Sequence, residues 1–302
     1  IDYMPDTTPD QSYLSEESNH VHIYTIDGSV SLKINIYNST NSISSVSANT
    51  TEIATGFTPA YDGIFYFNGT ATDIYGNLNS TPTRTFYIDK TNPLINFASS
   101  TQPDGINLPQ NWIFVSVTLT ELNLKNITYY LYSSSGIINQ TTYTTNVSNI
   151  TWQGLTNDNY WYNITVYDLA GNFNKTETRT IGLDTTAPNA ILIFPTNNTY
   201  NSTLSQNFTA NLTDNLGIKN ATLFIYNQTG LFNQISVNFT NTLQSTVGIA
   251  VALVNGVYDW WYQVWDLTGS NFRPLANYTI TIDNVNPDII ITYPQNISYN
   301  II

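Results

Sequence analysis

The 302-residue chain contains no cysteine, two histidines and one methionine. Without thiols there is no disulfide framework, no thiolate nucleophile and no cysteine-bound zinc. That absence does not place the chain in the cytosol, because domains near a hundred residues build adequate cores without crosslinks. Charge is also scarce, at 10% of residues, and lopsided: 8 basic side chains against 21 acidic, for a net charge of −13. A nucleic-acid binder needs a basic footprint to release counterions, and this chain has none. An anionic membrane surface is disfavoured for the same reason. Helix formers such as Ala, Leu, Glu and Lys are sparse, and no stretch carries a helical apolar stripe. No run of about 18 apolar residues occurs, so no membrane span is expected. No signal peptide is visible at Ile1, and the expectation is a mature chain or a segment of a longer one.

What is present points to β-structure. Hydrophobic residues make up 41% of the chain and aromatics 14%, with 22 tyrosines. Ile, Val and Thr are abundant, and these residues fit a pleated, half-buried surface. Such a composition is not that of a disordered chain. Asn, Thr and Ser carry the polar load. A neutral polar coat with acidic charge suits a secreted surface, one able to take cations.

An internal repeat organises the sequence. Three segments correspond: DGIFYFNGTATDIYGN from Asp62, NDNYWYNITVYDLAGN from Asn157 and VNGVYDWWYQVWDLTGS from Val254. In each, an aromatic (Phe65, Tyr160, Tyr258) stands eight residues before an aspartate (Asp73, Asp168, Asp266), and a glycine follows three residues later. Each runs on into IDKTNP, LDTTAP or IDNVNP. The closing prolines Pro93, Pro188 and Pro287 set a period of 95 and then 99 residues. Alternation is strict. Tyr160, Tyr162, Ile164 and Val166 face one way, as do Tyr258, Trp260, Tyr262 and Val264, which predicts strands with one buried face. The YGN, AGN and TGS turns predict hairpins. Further strands are expected over residues 112–120, 126–132 and 136–145, and over 207–213 and 221–226. Short strands separated by turns every 8 to 12 residues predict an all-β chain of immunoglobulin-like sandwiches. The first copy is degenerate, with Gly69 and Ala71 where the others place large residues.

The combination of xGxY, D-x-x-GN and D-T-T-A-P resembles the tandem bacterial and archaeal immunoglobulin-like, or fibronectin-III-like, repeats of cell-surface adhesins and extracellular filaments. The resemblance covers nearly the whole chain and implies spacing, adhesion or assembly at a cell surface, without implying a ligand. The expected organisation is three Ig-like domains over residues 1–92, 93–187 and 188–286. Residues 287–302 repeat the opening of a further domain: NPDIIITYPQNISYN matches APNAILIFPTNNTYN from Ala187. The first domain lacks the leading half of that same strand. Two readings fit. Residues Ile289, Ile290, Ile291, Thr292 and Tyr293 complement the first domain of another copy head to tail, or the chain is a window on a longer repeat array.

Nineteen Asn-x-Ser/Thr sequons begin at Asn38, Asn49, Asn68, Asn79, Asn126, Asn139, Asn146, Asn149, Asn163, Asn174, Asn197, Asn201, Asn207, Asn211, Asn220, Asn227, Asn238, Asn277 and Asn296. A chain rich in Asn, Ser and Thr produces some by chance. Asn68 and Asn163, however, hold the same outward repeat position, where a glycan can sit, and a surface so poor in charge needs another solubilising coat. The expectation is dense N-glycosylation. Heavy sequon use with few lysines and no cysteine resembles an archaeal cell-surface protein in composition.

No catalytic fingerprint appears, and no enzyme activity is expected. His20 and His22 share a strand face. They form a plain strand pair or, with Glu16 or Glu17, a metal site. The more specific candidates are acids that recur at the repeat junctions: Asp73 and Asp89, Asp168 and Asp184, Asp266 and Asp283, all expected at the exit end of each sandwich. Glu121 follows the first junction, and Asp214 with Asn215 the second. Each aspartate caps a turn through its own backbone, or the groups hold calcium, which takes six to eight oxygen ligands. The second junction, with Asp168, Asp184, Asp214 and Asn215, is the stronger calcium candidate. Trp161, Trp261 and Trp265 fall on outward faces by parity, as an interface or a carbohydrate-stacking surface requires. The functional expectation is a structural, N-glycosylated subunit of an extracellular filament or surface layer, partnered by copies of itself. The alternative is a stalk or carbohydrate-binding segment of a longer adhesin.

Overall fold

The computed structural model describes residues 1–15, 19–26, 30–290, 292 and 293. Among these, the chain is built from strands and turns, with no helix. It divides into two compact units. One holds residues 1–104, 113–152 and 160–180, and the other residues 105–112, 153–159 and 181 onward.

The first repeat contributes nine strands: β1 (Asp2–Tyr3), β2 (Ser12–Leu14), β3 (Asn19–Tyr24), β4 (Val30–Tyr37), β5 (Ser42–Ala48), β6 (Glu52–Phe57), β7 (Gly63–Asp73), β8 (Leu78–Ser80) and β9 (Arg84–Ile88). One sheet runs β1-β3-β6 and the other β2-β9-β7-β4-β5, with β8 beside β7. Their inner faces meet in a core of Val21, Ile23, Leu32, Ile34, Phe65, Phe67 and Phe86. The leading edge strand expected to be incomplete is present as two residues, Asp2 and Tyr3, paired with Tyr24 and Ile23.

The small residues of β7 have a packing reason. A Cβ added to Gly69 would lie 2.6 Å from the Cδ1 and 2.9 Å from the Cγ2 of Ile23. The space that Ile164 or Tyr262 fills in the later repeats is here taken from the opposite sheet. Gly69→Ala is therefore expected to overpack this core and cost about 1–3 kcal/mol. Loss of stability in urea unfolding, recovered in the double variant Gly69→Ala, Ile23→Val, checks it.

The middle repeat follows with β10 (Leu94–Phe97), β11 (Ile106–Leu108), β12 (Trp112–Thr120), β13 (Leu124–Ser133), β14 (Gly136–Tyr143), β15 (Asn149–Gln153), β16 (Asp158–Asp168), β17 (Phe173–Lys175) and β18 (Arg179–Leu183). β10 pairs antiparallel with β12, and β13 with both β14 and β16. β11 pairs parallel with β18. The alternation read from the sequence is realised: Tyr160, Tyr162, Ile164 and Val166 are buried, while Trp161, Asn163 and Thr165 are half-exposed.

The last repeat has seven strands: β19 (Asn189–Phe194), β20 (Thr199–Asn201), β21 (Ser205–Asn227), β22 (Gly230–Ala252), β23 (Gly256–Asp266), β24 (Asn271–Phe272) and β25 (Tyr278–Ile282). Here the two strands expected over 207–213 and 221–226 are one. β21 continues through Asp214–Gly217, with β22 paired to it on either side and the register shifting between Thr213 and Ile218 and between Ile218 and Asn220. Its core gathers Phe208, Leu212, Leu223, Tyr258, Trp260, Tyr262 and Val264.

In every repeat a short strand pairs parallel with the last full strand: β2 with β9, β11 with β18 and β20 with β25. The D-x-x-G turn recurs as well. Gly76, Gly171 and Gly269 adopt φ of 86°, 92° and 92°, a left-handed conformation that glycine enters without steric cost. Ile289, Ile290 and Tyr293, three of the residues read as an assembly strand, are exposed and outside every described sheet. Ile291 and the sequon at Asn296 lie outside the described residues.

Candidate metal centres

The hairpin aspartates sit where strand direction puts them. β7 and β9 are antiparallel, with Gly63 opposite Ile88, so Asp73 at the far end of β7 and Asp89 just past β9 lie at opposite ends of the sheet. Ten residues of strand, about 33 Å, separate those ends. β23 and β25 repeat this, with Gly256 opposite Ile282. The expectation that both acids of a repeat share its exit end is therefore wrong, and so is the grouping of Asp168 with Asp184. The hairpin aspartate of one repeat meets instead the D-T-T aspartate of the repeat before it.

Two carboxylate triads result, Asp89–Glu121–Asp168 and Asp184–Asp214–Asp266, each with one oxygen per residue mutually within 4.8 Å. Two ligands on opposite sides of one calcium ion, each about 2.4 Å from it, stand that far apart. Asp266 completes the second triad and is not grouped with Asp283, contrary to the expectation from sequence. Asp283 is exposed, its carboxylate accepting from the Val285 N–H at 3.0 Å. Asn215 belongs to the site as a neighbour: its Nδ2 donates to Asp184 Oδ1 at 3.0 Å.

In the second triad the roles of the two carboxylate oxygens are split. Asp184 Oδ1 accepts from Thr186 N–H at 2.9 Å and from Asn157 Nδ2 at 2.8 Å. Asp214 Oδ1 accepts from the N–H groups of Leu216 and Gly217. Asp266 Oδ1 accepts from the N–H groups of Thr268 and Ser270 at 2.8 and 2.9 Å. The expected turn-capping is therefore real, and it engages one oxygen each. The Oδ2 atoms of all three are buried and have no hydrogen-bond partner. Asp184 and Asp266 are fully buried. Burial and the charges of Asp184 and Asp266 raise the Asp214 carboxyl above its usual value. Buried like charges left unpaired are costly, so three buried, unsatisfied oxygens on one carboxylate triad fit a hard cation.

In the first triad, burial and then the charges of Asp89 and Asp168 raise the Glu121 carboxyl. Its Oε1 accepts from the Asn123 N–H at 2.6 Å. Asp89 Oδ2 is occupied by Asn123 Nδ2 at 2.6 Å, and Asp168 Oδ2 by Asn172 Nδ2 at 2.7 Å.

The histidine pair has partners the sequence did not suggest. Glu16 and Glu17 lie outside the described residues. His22 Nδ1 meets the Asp6 carboxylate at 3.0 Å and its Nε2 meets Glu52 Oε1 at 2.6 Å. His20 Nδ1 lies 3.1 Å from the Asp6 carbonyl. The Asp6 contact, helped by Glu52 and opposed by burial, raises the His22 pKa above its usual value. A raised folded-state value means stabilisation that is full below about pH 6.5, the ordinary histidine value, and lost as pH rises through the folded one. The expected result is a first-repeat melting temperature a few degrees higher at acid than at alkaline pH, with His22→Gln flattening the difference. Thermal melts across that pH range check it, and added salt should shrink the effect because Asp6 and Glu52 are more than half exposed.

The tryptophans divide differently from parity. Trp161 and Trp265 are half-buried, but Trp261 is 8% exposed. It stacks on Phe224 and Tyr226 at 5.5 and 5.0 Å, and the Arg273 guanidinium caps it at 4.1 Å. An outward face that other side chains cover leaves Trp261 no open ring for a sugar. Of the sequon asparagines, the eighteen described are all at least partly exposed.

A comparison with curated proteins finds no match. Among solved structures, the chain is similar to a tetra-tandem repeat from the extending region of a large adhesion protein (17% identity, 94% of this chain and 74% of that one, TM-score 0.42). It is also similar to a solved chain from work on a 1.5-MDa bacterial ice-binding adhesin (13% identity, 92% of this chain and 100% of that solved chain, TM-score 0.35). A third is the fibronectin(III)-like modules of Clostridium thermocellum CbhA (13%, 63% and 94%, TM-score 0.31). The bacterial Ig-like domain family matches three times, over residues 16–90, 114–185 and 194–257, one match in each repeat. With most of its length so matched, the chain belongs to the bacterial Ig-like domain family.

Proposed function

We propose that the chain is a structural segment of an extracellular surface protein or filament, a row of Ig-like repeats that holds a distance rather than turning over a substrate. Calcium at Asp184, Asp214 and Asp266 ties the last repeat to the one before it, and N-linked glycan coats the exposed faces. The observation that carries this reading is the set of three buried, unpartnered Oδ2 atoms built from two consecutive repeats. With the ion bound, a broad-specificity protease should spare the 184–188 connection, and chelation should expose it. Identical digestion patterns in calcium and in chelator would sink the calcium tie.

The glycan part rests on acceptor geometry. The Oδ1 atoms of Asn38, Asn139 and Asn227 each accept the hydroxyl of their own sequon threonine, at 3.0, 2.9 and 2.7 Å. Intact mass of native material tests it, and a bare polypeptide mass refutes it.

A second reading, head-to-tail association of copies through residues 289–293, is favoured by the exposure of Ile289 and Ile290 outside every described sheet. An unpaired apolar strand needs a partner. Electron microscopy of native material showing continuous fibres supports it, and separate beaded chains argue for a stalk.

A further inference from the structure

The two carboxylate triads are alike in composition and position but differ in what satisfies their oxygens. We infer that the chain carries one divalent-cation site, at Asp184–Asp214–Asp266, and that the side-chain amides of Asn123 and Asn172 close the Asp89–Glu121–Asp168 triad so that it takes none. This rests on the calcium reading above and deepens it.

The comparison is nearly a controlled one, because the turn is the same in both places. The backbone N–H four residues after the aspartate donates to its Oδ1: Asn172 to Asp168 at 2.8 Å and Ser270 to Asp266 at 2.9 Å. The side chain at that position then decides. Asn172 reaches back with its Nδ2 to Asp168 Oδ2 at 2.7 Å and also donates to the Asp89 carbonyl at 2.7 Å. With both contacts made to acceptors, the amide is held nitrogen-inward and presents no oxygen to an ion. Asn77 makes the same closure on Asp73 in the first repeat, at 2.7 Å, so the closure is a property of the asparagine turn. Serine has no amide. Its hydroxyl lies 3.1 Å from that of Thr268, and Asp266 Oδ2 remains buried and unpartnered.

The other amide differs too. Asn123 donates to Asp89 Oδ2, on the oxygen not used by the turn, while Asn215 donates to Asp184 Oδ1, which Thr186 already uses. In the first triad, donors thus take both oxygens of Asp89, with Thr91 N–H on Oδ1 and Asn123 on Oδ2, and both oxygens of Asp168. In the second, each of the three carboxylates keeps one buried oxygen, Oδ2, with no donor on it. A hard cation exchanges its water for such oxygens. At the first triad it must also displace two formed charge-assisted hydrogen bonds.

The test is calcium titration of the whole chelator-treated chain, with native mass spectrometry counting ions. The expected count is one per chain, lost in Asp266→Asn. Removing both amides, in Asn172→Ser with Asn123→Ala, should raise it to two. Should that variant misfold, Ser270→Asn gives the reciprocal result, a loss of about tenfold or more in affinity at the second triad. Two ions on the unaltered chain would overturn the inequality while leaving the calcium reading intact. A single ion that survives Asp266→Asn would place it elsewhere and overturn the assignment. No ion at all would overturn the calcium reading itself.

Discussion

Replacing Trp260 with alanine is expected to cost the last repeat about 3–5 kcal/mol, the largest effect of any single truncation in the chain. The indole is fully buried. It packs edge-on against Phe208 at 5.1 Å, Tyr278 at 5.6 Å and Tyr262 at 6.4 Å. These rings come from β21, β25 and β23, so the cavity would open where three strands converge. Trp260→Phe should behave differently from a simple loss of volume. The Trp260 Nε1 is buried without a hydrogen-bond partner, and an orphaned donor carries a desolvation cost of about 1–3 kcal/mol. Phenylalanine removes that cost together with the extra ring, so the net change is expected to stay below about 1.5 kcal/mol. Calorimetry of the whole chain checks both, since one transition should move far in the first variant and little in the second. Equal losses would mean that the indole nitrogen costs nothing where it is.

The second large effect is a reversal of sign. At a hundred times its dissociation constant, an ion that binds only the folded state adds about 2.7 kcal/mol. For a repeat of this size that is upwards of about 10 °C in melting temperature. Asp214→Asn should abolish the increment and, in chelator, should make the last repeat more stable than the unaltered chain. The substituted side chain keeps the oxygen that accepts from Leu216 and Gly217. It removes one of three buried like charges and supplies an amide donor, as Asn172 does at the first triad. The two melting curves should therefore cross as calcium is added. A variant less stable than its parent under both conditions would show that the three carboxylates are not in conflict without an ion.

Much of this was readable from side-chain periodicity. The buried faces of β16 and β23 follow from alternation alone, because an aromatic at every second position has one dry face available. What periodicity does not report is which chain ends meet. Asp168 and Asp184 are close in sequence and share one repeat, yet the antiparallel course seen in β7–β9 and β23–β25 sends such acids to opposite ends. The correct partner of Asp184, Asp266, lies 82 residues away and is legible only once strand direction is known. Trp261 failed for a different reason. Parity placed it on the outward face, but the cover supplied by Phe224, Tyr226 and Arg273 is a matter of neighbouring strands. The break expected between residues 213 and 221 is instead continuous strand, paired with β22 on both sides of it, and no local signal announced that length.

The parallel pairs β2–β9, β11–β18 and β20–β25 bear on how the chain responds to tension. In the first repeat, once the two-residue β1 has come away from β3, a pull toward the N-terminus arrives at Ser12 and a pull toward the C-terminus leaves at Ile88, on two strands that run the same way with Ser12 beside Phe86 and Leu14 beside Ile88. The strands are then dragged lengthwise past each other, and the bonds along the pair carry the load together. An antiparallel hairpin such as β21–β22, gripped at its open end, would give way one bond at a time. Each repeat thus has its entry and exit fastened in shear, and its long hairpins lie behind that fastening. Under force the chain should lengthen in discrete steps, one repeat at a time.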